Sequence, residues 1–273
     1  MVELCDLEFG LHAASSGCTL NCHEVTGVQT GLMTLRRETS SDLYFWGKMF
    51  GVKADYYIAY GLEDSKFEFP SKSFFCAGGN FQFRALESVT EEVAGRVIEL
   101  NLLKPFTGIL STTLDAQEEG VLDADTNAHV PLLTESHRLA QVVQEIDFDT
   151  AVVPKGAHAL NEAHVVVPSS SFRGLATADA TSINHYVHFR PPASIARLRA
   201  LAQSDAVFYN NFLDSLQDDV PKGCWAVRED ACMVKLRSLS WPGFTAFHVP
   251  CTTRFGGLYF GYGQKNRDLA FIL

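Results

Sequence analysis

Two aromatic runs joined by a short glycine-containing link constrain the fold of this chain most strongly. The first run is LYFWGKMF at 43–50, and the second is DYYIAY at 55–60. Aromatic residues favour β-strands, and a short link with glycine allows one strand to turn back beside the other. The sequence therefore predicts an antiparallel β-hairpin over residues 43–60.

Helical periodicity follows a capping residue at three places in the chain. Apolar residues recur every third or fourth position after Asn21, Thr134 and Ser194, which predicts an amphipathic helix at each place. A further helix is expected from Thr177 toward His185. The predicted apolar faces are Val25, Val28, Leu32 and Leu35; Leu139, Val142, Val143 and Ile146; and Ile195, Leu198, Leu201 and Ala202.

Short apolar runs predict further strands, most of them joined by short turns. Because short turns join antiparallel neighbours, we expect an α+β fold with a mainly antiparallel sheet, several packed helices and an all-β C-terminal segment. The predicted strand regions are 74–83 around Gly78 and Gly79, 151–153, 165–167, the hairpin 224–234, 236–241, 244–249 and 258–260.

One shift in composition suggests how the chain is divided. Residues 114–129 are acidic and poor in large apolar side chains, as in a flexible loop or linker. We expect an N-terminal region 1–113 with the first helix and the aromatic hairpin, an acidic loop or linker 114–133, and an α+β region 134–273. The two flanking regions are either separate or one continuous domain.

Composition excludes several classes of protein. The chain has 273 residues, of which 47% are hydrophobic and 20% charged, so it can bury a sizeable core and is not wholly disordered. Its net charge of −10 disfavours nucleic acid and anionic lipid as partners. The seven cysteines are scattered, the acidic start does not resemble a signal peptide, and no apolar run reaches membrane-spanning length. We therefore expect a protein of the cytoplasm with reduced thiols.

Three groups of residues could bind a metal ion. Cys18, Cys22 and His23, with His12 nearby, carry zinc-type ligands but lack a second ligand pair. The segment 123–134 begins like an EF-hand loop, yet it has neither the glycine nor the final glutamate that calcium binding needs. His185 and His188 could share a metal, although paired or solvent-facing histidines are the favoured interpretation. Buried thiols and a solvated acidic loop are the alternatives for the first two groups.

The search for catalytic motifs gives no constellation. The glycine-rich stretch 256–266 lacks the Ser or Thr after Lys265 that a phosphate loop requires, so bulges and tight turns explain its glycines better. The serines at 169–171 lack the glycine context of a nucleophile elbow. We expect no catalytic, cofactor-binding or metal-binding residues. Two alternatives remain: a cytosolic enzyme with a pocket near the hairpin 43–60 and His188 or Cys76 as its reactive group, or a soluble binding adaptor.

Four segments of the chain together resemble the radial spoke head protein 9 family of motile cilia and flagella. Their order, spacing and the shared chain ending carry the resemblance, and the last segment is also similar to the end of the larger spoke head proteins 4 and 6. The segments are 45–62; 172–175 with 186–190; 212–216 with 221–225; and 236–243 with 259–266 and 268–273.

The resemblance implies a non-catalytic structural subunit of the radial spoke head in the axoneme. Radial spokes of this family link doublet microtubules to the central pair, and their heads also contain spoke head proteins 4 and 6 and MORN-repeat subunits. The resemblance therefore implies those proteins as partners, the central pair apparatus as the opposing surface, and a role in relaying contact to dynein control. It implies no cofactor and a cytoskeletal location in the cilium or flagellum.

Overall fold

The computed structural model describes residues 7–14, 18–39, 42–63, 69–87, 89–100, 104–114, 132–203 and 212–272. Its helices are α1 (Leu7–Ala13), α2 (Cys22–Thr39), α3 (Glu91–Glu99), α4 (Glu135–Thr150), α5 (Thr177–Ala180), α6 (Ile195–Leu201) and α7 (Leu269–Ile272). Its strands are β1 (Asp42–Met49), β2 (Tyr56–Glu63), β3 (Ser71–Ala77), β4 (Arg84–Ala85), β5 (Val152–Pro154), β6 (His158–Leu160), β7 (Val166–Pro168), β8 (Tyr186–His188), β9 (Trp225–Glu229), β10 (Val234–Ser238), β11 (Phe244–His248) and β12 (Phe255–Gly261).

An eight-stranded sheet organises the described part of the chain. The strand order is β4-β3-β2-β1-β12-β11-β10-β9, and two small sheets pair β5 with β8 and β6 with β7. Neighbouring strands are antiparallel except at the centre, where β1 and β12 run parallel. The predicted α+β class with a mainly antiparallel sheet is confirmed. The end of the chain departs from the all-β expectation by one helical turn, α7.

The predicted aromatic hairpin forms the centre of the sheet. Strands β1 and β2 pair antiparallel, with Tyr44 opposite Tyr60 and their rings stacked 5.3 Å apart. Along β2, Tyr56, Ile58 and Tyr60 contact one apolar cluster, while Tyr57 and Ala59 contact another. Because both faces of β2 are buried, its sequence shows a continuous apolar run rather than an alternation.

The sheet lies between two helical layers. On one face it packs against α4 through Leu139, Val143 and Ile146, which are buried as the sequence predicted. On the other face it packs against α1 and α2, where Leu7 and Leu32 belong to the second apolar cluster. Burial on both faces fixes the sheet as the rigid middle layer of the molecule.

The predicted cap of α2 is present in full. The backbone N–H of Asn21 donates to Glu24 Oε2 at 2.8 Å, and the backbone N–H of Glu24 donates to Asn21 Oδ1 at 2.9 Å. These reciprocal bonds satisfy two backbone donors that a helix start leaves free. The helix then runs to Thr39, with Val28 and Leu32 buried on the predicted face.

Three local predictions were confirmed only in part. The third strand stops at Ala77, and Phe81 instead adopts a positive φ of 55° and packs its ring 4.9 Å from that of Tyr57. The helix from Thr177 ends after one turn, and a 3₁₀ turn over Ile183–His185 leads into β8. The predicted face of α6 is largely solvent-exposed, with Ile195 67% exposed, because only the last turn of this short helix reaches apolar neighbours.

The acidic segment lies mainly outside the described residues, which exclude 115–131. Its two flanks are joined, since the Leu114 N–H donates to the Leu133 carbonyl at 2.9 Å and Thr113 forms a bridge with Thr134. The boundaries 1–113, 114–133 and 134–273 stay a prediction, while strands from both flanking regions meet in the eight-stranded sheet. No described helix combines the length and apolarity needed to cross a membrane.

Candidate functional site

The residues that the sequence suggested for zinc lie around the start of α2. Cys18 and Cys22 are exposed, and the ring of His23 rests against Phe81 with centroids 5.6 Å apart. Within the described ranges, no three His, Cys, Asp or Glu side chains are grouped so that they could hold a metal ion. The EF-hand-like stretch falls mostly in 115–131, outside those ranges.

The two candidate histidines have different partners. His188 is buried, and its Nε2 lies 2.8 Å from Asp219 Oδ1, while Trp225 Nε1 donates to Asp219 Oδ2 at 2.7 Å. Burial alone would raise the pKa of Asp219, but the hydrogen bonds from His188 and Trp225 outweigh it and lower that pKa. His185 Nε2 lies 3.6 Å from Asp179 Oδ1 instead. The favoured interpretation of paired histidines therefore describes His188.

Cys76, the other candidate reactive group, is buried in β3. Burial raises the pKa of its thiol to about 12, so the thiol stays protonated at neutral pH and is a poor nucleophile. The cavity next to the hairpin, between Trp46, Tyr60 and α4, has a volume of about 40 Å³. Ligand sites for small molecules usually span several hundred cubic ångströms, so this cavity is too small for such a ligand.

The glycine-rich stretch ties the sheet to α4. Gly261 ends β12, and Gly263 has a φ of +67°, which suits glycine at a turn. Lys265 follows and pairs with Asp149 at 2.8 Å, and Trp241 Nε1 donates to the same carboxylate at 2.8 Å. The Lys265 ammonium also lies 5.3 Å from the Trp241 ring centroid. These residues position the turn, as the sequence interpretation favoured.

A buried lysine joins α2 to the hairpin. The Lys48 side chain is 9% exposed, and its Nζ lies 2.7 Å from Glu24 Oε1 and 2.9 Å from Asp55 Oδ2. The Tyr57 hydroxyl donates to the same Glu24 oxygen at 2.7 Å. Burial alone would lower the pKa of Lys48 and raise that of Glu24. Their hydrogen bond outweighs burial, so the pKa of Lys48 is raised and the pKa of Glu24 is lowered. The only sequence signal for this network is a charged residue inside an aromatic strand.

The Glu24 shift predicts how acid affects stability. Because its folded pKa lies below the ordinary value of 4.5, the ion pair stabilises the fold above that pH, and the contribution is lost as pH falls through the folded pKa. The free energy of unfolding, measured with urea, should therefore fall less for Glu24→Gln than for the wild type between pH 7 and about pH 3. The control Glu38→Gln, an exposed position on the same helix, should follow the wild type. Equal acid losses in Glu24→Gln and the wild type would refute this role.

A buried carboxylate anchors the segment 104–114 to the sheet. Glu135 is 1% exposed and accepts hydrogen bonds from the Tyr56 hydroxyl at 2.7 Å, the Thr107 N–H at 2.9 Å and the Gly108 N–H at 3.0 Å. Burial and the bond to Glu135 raise the pKa of Tyr56 above its usual range, so the tyrosine remains a donor. Sequence reasoning missed this site because a glutamate after the cap Thr134 is typical of any helix start.

A groove with a volume of about 630 Å³ lies between α2 and residues 80–84. The exposed hydroxyls of Thr26, Thr30 and Thr34 line it, and each donates to a carbonyl one turn earlier in α2. The Phe81 ring occupies the space where Gly27 has no side chain. The groove therefore presents hydroxyls and an aromatic ring, and the titratable side chains of His23, Glu38 and Arg84 also line it.

Exposed apolar side chains lie at the end of the hairpin. The Phe50 and Tyr262 rings pack 5.2 Å apart, and Tyr262 is 59% exposed. Val52 is 71% exposed, while its backbone is held by a hydrogen bond to the Phe106 carbonyl at 2.8 Å. Apolar side chains displayed on a fixed backbone are typical of protein–protein contact surfaces.

Comparison with known proteins identifies relatives along nearly the whole chain. A radial spoke head protein 9 homolog of Danio rerio is 36% identical over 271 residues, covering 96% of each chain. The homolog of Homo sapiens is 32% identical over 267 residues, again covering 96% of each chain. The chain belongs to the radial spoke head protein 9 family. The homolog of Xenopus tropicalis is 29% identical over 269 residues, and no protein-family model matches the chain.

In this member of the radial spoke head protein 9 family, the resembling segments meet in the folded structure. The segment 45–62 supplies most of β1 and β2, and 259–266 begins in β12, so the parallel pair at the sheet centre joins them. The segment 186–190 supplies β8, and its His188 contacts Asp219, which lies between the two parts of the third segment. The segments that carry the family resemblance thus contribute the central parallel strand pair and one partner of the His188–Asp219 hydrogen bond.

Proposed function

We propose that this chain is a non-catalytic structural subunit of the radial spoke head in the axoneme of motile cilia and flagella. The observation that carries the proposal is the identity of 36% and 32% to radial spoke head protein 9 homologs across 96% of each chain. Because the alignments cover nearly all of this chain and of each relative, the similarity is not limited to a single motif.

The packing of the described residues suits a mechanical role. A central sheet is covered on both faces, the buried Lys48 forms ion pairs, and the buried Glu135 accepts several hydrogen bonds. Such a structure resists deformation because breaking either network costs several kcal/mol. Such a body holds its surfaces in a fixed geometry. A subunit that relays contact with the central pair toward dynein control needs this stiffness.

The same observations support assembly rather than turnover. The two groups considered for catalysis, Cys76 and His188, are a protonated buried thiol and a histidine paired with Asp219. The exposed apolar side chains Val52 and Tyr262 lie instead on the surface. We propose that such surfaces contact the other spoke head subunits, including spoke head proteins 4 and 6 and the MORN-repeat subunits.

The test is deletion of the gene followed by electron tomography of axonemes. We expect spoke heads to lose density and beating to become irregular, and re-expression of the wild-type chain to restore both. Size-exclusion of native ciliary extract should place the chain in a very large particle. Intact spoke heads and normal beating in the deletion strain would contradict the proposal, as would a chain that elutes only at its monomer size.

A further inference from the structure

The outer edge of β9 carries free backbone hydrogen-bonding groups. Asp230 N–H donates to the Met233 carbonyl at 2.8 Å, and Leu239 N–H donates to the Cys224 carbonyl at 2.8 Å. In an antiparallel pair the bonded residues alternate, so the even-numbered residues of β9 bond to β10. The N–H and C=O groups of Trp225, Val227 and Glu229 therefore point away from the sheet. Within the described chain, these groups have no hydrogen-bond partner.

The two faces of this edge differ in chemistry. Trp225 and Val227 lie on the face that packs toward α4, and Val227 is only half-buried there. On the other face, Arg228 of β9 is the cross-strand neighbour of Lys235 in β10. A strand added beside β9 would therefore place alternate side chains on an apolar face and on a basic face.

Positive charge on the basic face is not fully compensated. Lys235 pairs with Asp230 at 3.0 Å. Arg228 and Arg237 are both exposed on neighbouring strands of this face, and neither forms an ion pair with any other residue that the structure describes. In a chain whose net charge is −10, such a cluster favours an acidic partner at this position.

We propose that β9 accepts an extended strand from another polypeptide, whose side chains alternate between apolar and acidic. Only a strand can satisfy the alternating donors and acceptors of Trp225, Val227 and Glu229, since a helix bonds its own backbone groups. The apolar side chains of the added strand would pack against Val227, and its acidic side chains would meet Arg228. The inference rests on the proposed function for the source of that strand, a neighbouring spoke head subunit.

Proline at position 227 tests the edge. Because the Val227 N–H points outward, Val227→Pro removes a donor for the added strand without removing a bond to β10. Val227→Thr is the matched control, since it keeps the N–H and the branched side chain. We expect tagged Val227→Pro to enter purified spoke heads at least about tenfold less than the wild type, a loss of about 1.4 kcal/mol, and Val227→Thr to enter normally. Thermal unfolding of the purified variants checks that each one folds.

Hydrogen exchange on the wild-type chain gives a measurement that depends on no variant. The Val227 and Glu229 amides should exchange fast in the isolated chain and slowly in the spoke head. A peptide alternating valine and glutamate should protect the same amides more than one alternating valine and lysine, and Arg228→Glu should reverse that preference.

Five results would overturn the inference. If Val227→Pro entered spoke heads as well as the wild type, or if the Val227 and Glu229 amides stayed unprotected there, the edge contact would be refuted. The proposed function would not be affected. Preference for the lysine peptide would refute an acidic partner. A wild-type dimer that Val227→Pro converts to a monomer would make the occupant a second copy. Absence of the wild-type chain from spoke heads would instead refute the proposed function, and this inference with it.

Discussion

Gly47→Ala should unfold this protein or destabilise it by at least about 3 kcal/mol. Gly47 has a φ of +155° and pairs with Tyr259 across the parallel junction of β1 and β12. A Cβ at this position would collide with the Tyr259 carbonyl oxygen and lie 2.9 Å from its carbonyl carbon. Because the obstacle is backbone, no side-chain rotation relieves it, and the two halves of the sheet must separate.

Urea unfolding at neutral pH measures this effect, and Gly78→Ala is the matched control. A Cβ at Gly78 would meet no atom within 4 Å, so that variant should stay within about 0.5 kcal/mol of the wild type. Backbone amides of β1 and β12 should exchange hydrogen faster in Gly47→Ala than in the wild-type protein, because these two strands meet at Gly47. A variant as stable as the wild type would mean that the junction is looser than the structure describes.

Glu135→Ala should lower the free energy of unfolding by about 3–5 kcal/mol, because several donors around a buried carboxylate lose their acceptor. The change leaves the Tyr56 hydroxyl and the N–H groups of Thr107 and Gly108 without their acceptor. Each buried donor without a partner costs about 1–3 kcal/mol. The segment 104–114 would then lose its anchor on β2.

The comparison with Glu99→Ala separates this network from a general effect of losing a glutamate. Glu99 is exposed at the end of α3, so its replacement should change the free energy of unfolding by less than about 0.5 kcal/mol. Glu135→Gln keeps one acceptor oxygen and should fall between the two. If Glu135→Ala unfolds at the same urea concentration as Glu99→Ala, the buried carboxylate does not hold the fold.

The candidate site could be predicted only in part. The sequence favoured a paired or solvent-facing histidine over a metal ligand at position 188. The structure shows the paired alternative, with the partner Asp219 lying 31 residues away. The sequence did not indicate that Lys48 and Glu135 are buried, since a charged residue in a strand or at a helix start is usually solvated. Their partners come from separate elements, and no periodicity encodes that meeting.

The sequence by itself determined the local elements and the family. Asn21 capped α2, apolar spacing marked α4, and aromatic runs gave the β1–β2 hairpin, because these signals act within one or two turns of chain. Only the tertiary structure decided that β12 lies parallel to β1, that Phe81 packs on α2 instead of continuing the strand, and that the start of α6 is exposed. Strand order and burial depend on contacts between residues far apart in the chain. Hydrophobic burial is non-directional, so a local apolar pattern is compatible with several packing partners and does not select one.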